Sequence, residues 1–446
     1  DDKDAHVATD TFILRSKAQF EAFDTFFMLG TVTVRFEMWQ IIMISGDDHV
    51  GLYFLKLSKI KFARVGLLKL RNCSSQRRID VLVATDPGNM NWLTGYDGWS
   101  FYVHQGVIVS LNHDEPVWFG RHMDKNAALI KCYMKEDNMF GYPEKFVQNL
   151  DEHPMTWIGE NIFHSYGWDK AVIATERDNY YYTAEAHFRL QSSLPNANFV
   201  NANNLVNWAR GIKSPQEIEY MRIAGRITER IHQRILDTVQ PGVPKSYVVS
   251  QIYETAMEGV DGHGGDYPSI VPLLPSGADT SASHITWDDQ SFKRKEATFF
   301  EISGCYKRYH APLSRTMYLG KPTQEFLDAE KALQEAIEVG LEQAIPGNRT
   351  CDIANALDEV MAKHGIDRHG ARCGYPVGVS YPPDWGERTC SLRSSDLTVL
   401  EPGMTFHFMP GIWQDDWGIE LTESILITND GVETLANFPR KLFVKQ

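Results

Sequence analysis

Positive charge is what this chain lacks first. Its 446 residues carry 44 Lys and Arg against 58 Asp and Glu, a formal net charge of −14. That balance argues against nucleic acid and anionic membrane surfaces, which call for basic patches. Long apolar runs are also missing. The most apolar stretch, Phe26 to Ile44, has Arg35 and Glu37 near its centre and alternates too much for a membrane span. The first residues, Asp1-Asp-Lys-Asp4, lack the basic and apolar regions of a secretory signal. Cysteine is sparse. Cys73, Cys132, Cys305, Cys351, Cys373 and Cys390 show no close pair and no zinc-type spacing. They read as free thiols in a reducing compartment, so the expected location is cytoplasmic. Cys305 reads as a packing residue, because no thiolate-activating partner is identifiable beside it.

What is present is ordinary for a soluble protein: 43% hydrophobic and 23% charged residues. The length suggests about two or three domains. Residues 1 to 60 match no recognisable pattern and read either as an extension or as sequence of separate origin from the rest of the chain. A helix is expected from Ile60 to Arg71. Strands follow at Ile79–Thr85, Val103–Leu111, Glu115–Gly120 and Ala171–Thr175, with a helix over Tyr180–Leu190. Ser214-Pro-Gln-Glu217 is a capping box with proline at the first helical position, and Ile218, Met221, Ala224 and Ile227 continue as an apolar stripe. A boundary falls near Arg210, between a domain over 61–209 and one over 210–446. The absence of a Gly/Ser linker there implies that the two are packed together. In the second half, helices are expected over Thr323–Ala344 and Cys351–His364, the latter capped by Thr350 and closed by Gly365. Strands are expected at Thr405–Met409 and, continuously, Glu420–Ile427, before a turn at Asn429-Asp-Gly431.

The stretch Thr298–Thr316 organises the rest. It reads as two strands, with Ser303-Gly304 marking the break between them. Glu301 stands between Phe300 and Ile302. A carboxylate there is costly to bury unless it is paired or used.

This stretch resembles the strand pair of the pita-bread enzymes: methionine aminopeptidases, prolidases and creatinase. The resemblance implies an α/β (α+β) chain, with a creatinase-like N-terminal domain and a C-terminal pita-bread catalytic domain. In metal-dependent members five ligand positions surround the site. Here they are filled by Glu301, Pro312, Tyr375, Met409 and Thr422. Proline has no donor atom, methionine is soft, and neutral tyrosine and threonine are weak ligands. The expected cofactor and metal content is therefore none. From Gly264 to the C-terminus the chain is similar to the ectoine hydrolases. The matching strings are Gly264-Gly-Asp-Tyr-Pro268, Leu274-Pro-Ser-Gly-Ala-Asp279, Glu301–His310, Ser380–Arg388 and Phe438–Val444.

The resemblance implies a hydrolase opening the amidine ring of ectoine or 5-hydroxyectoine to N-acetyl-L-2,4-diaminobutyrate. Glu301 would attack the amidine carbon or activate water, and would hold the cation. His284, which ends a Ser276-Gly-Ala-Asp-Thr-Ser-Ala-Ser-His284 run like that of creatinase, would move a proton. Trp99, Tyr102, Tyr375, Trp385 and Trp413 are candidates to stack on the substrate cation. Arg388 is a candidate clamp for its carboxylate, with Glu387 and Glu423 as further substrate-binding groups. The family also implies a homodimer and a functional partnership with a deacetylase acting on the opened product. Two other readings are a creatinase-type C–N hydrolase and a non-enzymatic pseudopeptidase used for protein binding. Against the first, Ser314 and Tyr375 replace a Glu and a His of creatinase. Against the second, Glu301 and His284 are both retained.

Overall fold

The structure, a computed structural model, describes residues 71–446 apart from 73, 76 and 150. The extension over 1–60, nearly all of the helix expected at Ile60–Arg71, and Cys73 lie outside the described residues. Among the described residues the N-terminal domain is built on a six-stranded mixed sheet. Its strands are β1 (Val81–Ala84), β2 (Gly106–Ser110), β3 (Val117–Arg121), β4 (Met139–Tyr142), β5 (Val172–Thr175) and β6 (Asn198–Asn201), in the order β4-β3-β2-β1-β5-β6. After β1 comes helix α1 (Pro87–Thr94). Its start is set locally. The Asp86 carboxylate accepts from Gly88 N at 2.8 Å and Asn89 N at 3.2 Å, and Pro87 needs no donor partner.

The second domain opens with α2 (Pro215–Thr238), where the capping box forms as expected: Ser214 N donates to the Glu217 carboxylate at 2.7 Å. Helices α3 (Lys245–Glu258), α4 (Gln324–Gln343) and α5 (Thr350–Lys363) complete two helix pairs. Thr350 is the first residue of α5 rather than its cap. Arg349 holds that position, its N–H donating to Asp352 at 2.7 Å. Between and after the pairs come β7 (Ala297–Tyr306), β8 (Tyr309–Leu319), β9 (Gly374–Tyr381), β10 (Asp384–Gly386), β11 (Thr405–Phe408), β12 (Gly411–Trp413), β13 (Gly418–Glu420), β14 (Glu423–Ile427), β15 (Val432–Thr434) and β16 (Phe443–Lys445). Eight of these form one sheet with the path β15-β14-β11-β9-β8-β16, β7 pairing with β8 and β10 with β9. Strands β12 and β13 form a separate ribbon.

Two expectations are corrected here. Strand β7 runs straight through Ser303-Gly304, and the hairpin turns at Lys307-Arg308. Both turn residues have positive φ, 50° and 68°, the combination that joins twisted strands with a two-residue loop. Glycine is required at 304 for a different reason. Helix α2 lies directly on the hairpin, and a Cβ at Gly304 would stand 2.3 Å from the Ala224 carbonyl oxygen. The second correction is that Glu420–Ile427 is not one strand. It is interrupted at Leu421-Thr422, where Thr422 N turns to donate to Ser314 O at 3.1 Å.

All four helices pack on one face of the large sheet. Ile223, Ile227, Ile231, Val248 and Ile252 cover Phe300 and Ile302, while Leu333, Ile337, Ile353 and Leu357 cover Phe406, Phe408 and Ile425. Side chains alternate along a strand, so this packing turns Glu301 and His407 to the opposite face. The two domains share an apolar cluster that includes Trp92 and Leu93 from the first and Met221 and Val377 from the second, and they also meet through polar contacts. Trp92 Nε1 donates to Glu217 at 3.1 Å, Asn207 Nδ2 to Glu387 O at 2.9 Å, and Tyr381 OH to Asp97 at 2.7 Å.

Gly304→Ala is expected to separate α2 from the hairpin and cost about 1–3 kcal/mol. A lower urea midpoint at unchanged slope checks this; an unaltered midpoint would show that the contact is not tight.

Candidate active site

On the face away from the helices, Glu301 is 4% exposed and lies opposite Ser314 across the hairpin. His407 lies opposite Tyr375 in the next pair of strands. Its Nδ1 is 3.9 Å from the Glu301 carboxylate and 3.1 Å from the Tyr375 hydroxyl. Its Nε2 is 2.8 Å from Thr422 Oγ1, which also accepts from Ser314 N at 2.7 Å. Trp385 Nε1 donates to Tyr375 OH at 2.8 Å. Burial and the Arg372 guanidinium depress the His407 pKa to about 3, so the ring is neutral near pH 7. The arrangement in which Tyr375 donates to Nδ1, and Nε2–H to Thr422, satisfies both ring nitrogens.

A second carboxyl closes this space. Glu420 ends β13 and is fully buried. Its backbone is clamped to Thr316, whose hydroxyl donates to Glu420 O at 2.9 Å and accepts from Glu420 N at 2.9 Å. Neither carboxyl oxygen of Glu420 has a hydrogen-bond partner among the described residues. The Ser314 hydroxyl is close enough to favour the charged form, although it too is without a partner at hydrogen-bond geometry. Burial pushes Glu420 up to about 7. Burial first, and then the negative charge of Glu420, push Glu301 well above the usual carboxylate range.

Trp385 and Tyr375 are buried in this network. The other expected site residues are placed differently. Glu387 is fully buried and paired with Lys213 at 2.6 Å and Arg210 at 3.7 Å, packed against Gly378. Glu423 is held by Arg315 at 2.7 Å and Arg440 at 3.0 Å, so its carboxylate is already neutralised within the fold. Arg388 reaches Asp86 at 3.4 Å and Asp178 O at 2.7 Å. It lines a small cleft with Tyr180, Tyr181, Tyr381 and Arg210, and Glu301 is not part of that lining. Trp99 and Tyr102 are 59% and 64% exposed, on the N-terminal domain. Trp413 is half-buried on β12, its indole N–H without a partner among the described residues. His284 is exposed, with Ser283 Oγ 3.4 Å from its Nδ1. No hydrogen bond or ion pair joins it to Glu301 among the described residues. Its loop is anchored near the site, because Gly418 N donates to Thr280 Oγ1 at 2.8 Å.

Sequence reasoning missed His407, Glu420 and Arg372. The signal for His407 was available: it stands between Phe406 and Phe408 as Glu301 stands between Phe300 and Ile302. Glu420 was masked by the strand break at Thr422. Arg372 is exposed, with its guanidinium 4.7 Å from the Tyr375 ring.

Residues 67–212 match the creatinase/prolidase N-terminal domain, and residues 219–429 match metallopeptidase family M24. An ectoine hydrolase of Halomonas elongata is 61% identical over 384 residues, which span 85% of this chain and 96% of that protein. The chain belongs to the ectoine hydrolase family. It is an enzyme of the hydrolase class with a mixed α/β pita-bread fold. Among solved structures, a dipeptidase from Pyrococcus horikoshii shares the fold with a TM-score of 0.71 at 18% identity, covering 85% of this chain and 99% of its own. A prolidase from Thermococcus sibiricus does so with a TM-score of 0.73 at 15% identity, covering 85% and 98%.

Metallopeptidase relatives raise the question of a divalent ion, and at the five inherited ligand positions only Glu301 is a strong donor. Pro312 offers no side-chain donor, and its carbonyl accepts from Ser424 Oγ at 2.7 Å. The oxygens of Tyr375 and Thr422 are engaged by Trp385, Ser314 and His407. Thioether sulfur, at Met409, does not suit hard cations.

A carboxyl whose pKa is raised on folding binds more protons in the native state, so stability falls as pH rises through that window. For Glu420 the window runs from 4.5 to about 7. Glu420→Gln is expected to flatten the decline of the urea midpoint between those values. A variant whose midpoint still tracks wild type across that range would show that Glu420 is not the titrating group.

Proposed function

We propose that this chain is a metal-independent hydrolase that opens the cyclic amidine ring of ectoine, and of 5-hydroxyectoine, to N-acetyl-L-2,4-diaminobutyrate. The observation that carries the reading is the 61% identity to the Halomonas protein across 96% of its length. The site chemistry supports it. An amidinium is a planar cation, and Glu301 is a buried carboxyl with no Lys or Arg partner among the described residues. A cation seated against Glu301 favours its ionised form and offsets the burial and repulsion that raise its pKa in the free site. The ionised carboxylate then acts at the amidine carbon, as nucleophile or as base toward water. Tyr375 and Trp385 supply aromatic walls, each contributing roughly 0.5–2 kcal/mol to a stacked cation. The ring C–N bond then breaks, and His284 delivers a proton to the departing ring nitrogen.

The proposal extends to assembly and context. Trp99 and Tyr102, exposed on the N-terminal domain, suit a homodimer in which each subunit helps close the other's site. The enzyme would work in the cytoplasm, upstream of a deacetylase that consumes its product.

Incubation of the purified protein with ectoine and with creatine in parallel, followed by NMR, tests the reading. Acetylated diaminobutyrate should form from ectoine, and creatine should stay intact. Creatine cleavage with inert ectoine would favour the creatinase-type alternative. Glu301→Gln should fold normally and lose turnover by roughly 10²–10⁴-fold or more. A Gln variant retaining more than about a tenth of the wild-type rate, above that floor, would remove Glu301 from the chemistry. His284→Ala should lose turnover while still binding substrate; full retention of rate would assign its proton transfer elsewhere.

A further inference from the structure

Glu420 is used by neither the fold nor the chemistry described so far. Its backbone is clamped on both sides by the Thr316 hydroxyl, so its position is set, yet its carboxyl is fully buried and neither oxygen has a hydrogen-bond partner among the described residues. A buried charge without a partner is strongly disfavoured, and sites that bind a cation are where such groups persist. The other charged and titratable groups around it are committed. Arg315 and Arg440 are bound to Glu423, and Arg372 stacks on Tyr375. His407 is neutral and engaged through both ring nitrogens, and Tyr375 is held by Trp385 and His407. Glu301 and Glu420 flank Ser314, one from the neighbouring strand and one from β13.

The shape of a cyclic amidinium gives this pair a use. An open-chain amidinium can direct two parallel N–H bonds at one carboxylate. Closing the ring through both nitrogens leaves one N–H on each, and the two diverge on either side of the amidine carbon. One carboxylate cannot accept both; two carboxylates on opposite sides can. We propose that Glu420 is a second substrate-binding carboxylate, accepting one ring N–H while Glu301 accepts the other, so that the site selects a cyclic amidinium by its divergent donors. This rests on the reading that the substrate is a cyclic amidine. With the cation between them, the mutual repulsion of the two carboxylates is offset. With Glu420 removed, the ring is held at one nitrogen only and can pivot.

The test uses full-length protein and 2-methyl-1,4,5,6-tetrahydropyrimidinium, a ring cation without a carboxylate. Its binding is measured by calorimetry to wild type and to Glu420→Gln, alongside KM and kcat for ectoine. The variant is expected to bind the ring cation about tenfold or more weakly, the ordinary worth of one charge-assisted hydrogen bond. KM for ectoine should rise with it. The thermal midpoint of the ligand-free variant should equal or exceed that of wild type, because an orphaned buried carboxyl is being neutralised. Unchanged binding would overturn the inference. So would weaker binding accompanied by a lowered midpoint, which is the signature of a structural glutamate. Acetamidinium, the open-chain cation, should lose less affinity than the ring; equal losses would also overturn it. A wild-type protein that binds the ring cation but leaves ectoine intact would keep the carboxylate pair and sink the substrate reading instead.

Discussion

Burying a carboxylate costs on the order of several kcal/mol unless something of opposite charge meets it. Glu301 is placed in that position by the packing of its neighbours. Phe300 and Ile302 are committed to the helices α2 and α3, so strand alternation leaves Glu301 no choice of face. The hairpin that carries it is locked to α2 by a contact so close that only glycine fits at 304. The same construction recurs at β11, where Phe406 and Phe408 face α4 and α5 and His407 faces the site. The helix layer therefore aims the polar groups at the opposite face of the sheet.

Tyr375 and Thr422, at inherited ligand positions, serve here in a hydrogen-bonded wall. Trp385, Tyr375, His407, Thr422 and the Ser314 backbone form a chain of donors and acceptors. Each residue in it is buried, so each bond spares the site an unsatisfied polar group. What the wall leaves over is two buried carboxyl groups, Glu301 and Glu420. A site with two carboxyls and, among the described residues, no cation beside them is suited to a cationic substrate; burial raises the pKa of both while the site is free, and the charge of Glu420 adds to it at Glu301.

The legible parts of the sequence were those with a local physical signature. The capping box at Ser214, the amphipathic stripes of α2 and α4, and a carboxylate set between two large apolar residues all declare themselves within a few positions. The misread parts depend on distant partners. Ser303-Gly304 has the composition of a turn, yet its glycine answers to α2 rather than to the chain direction. Glu420 and Glu423 sit in one apolar run, but a break at Thr422 sends one into the site and the other to Arg315. Arg388, a candidate for the substrate carboxylate, is placed by tertiary packing beside Asp86, a pairing its own stretch of sequence does not announce. Glu387 likewise became one end of a buried ion pair with Lys213.

The central claim is that carboxylates and a cationic substrate do here what a divalent ion does in metal-dependent relatives. The most direct measurement is turnover of ectoine by protein stripped with chelator, with metal content read by elemental analysis on the same sample. The account predicts full activity at far below one Mn, Fe, Co or Zn per chain, and no gain when any of them is added back. Activity that disappears with the metal and returns in proportion to one added ion would contradict it.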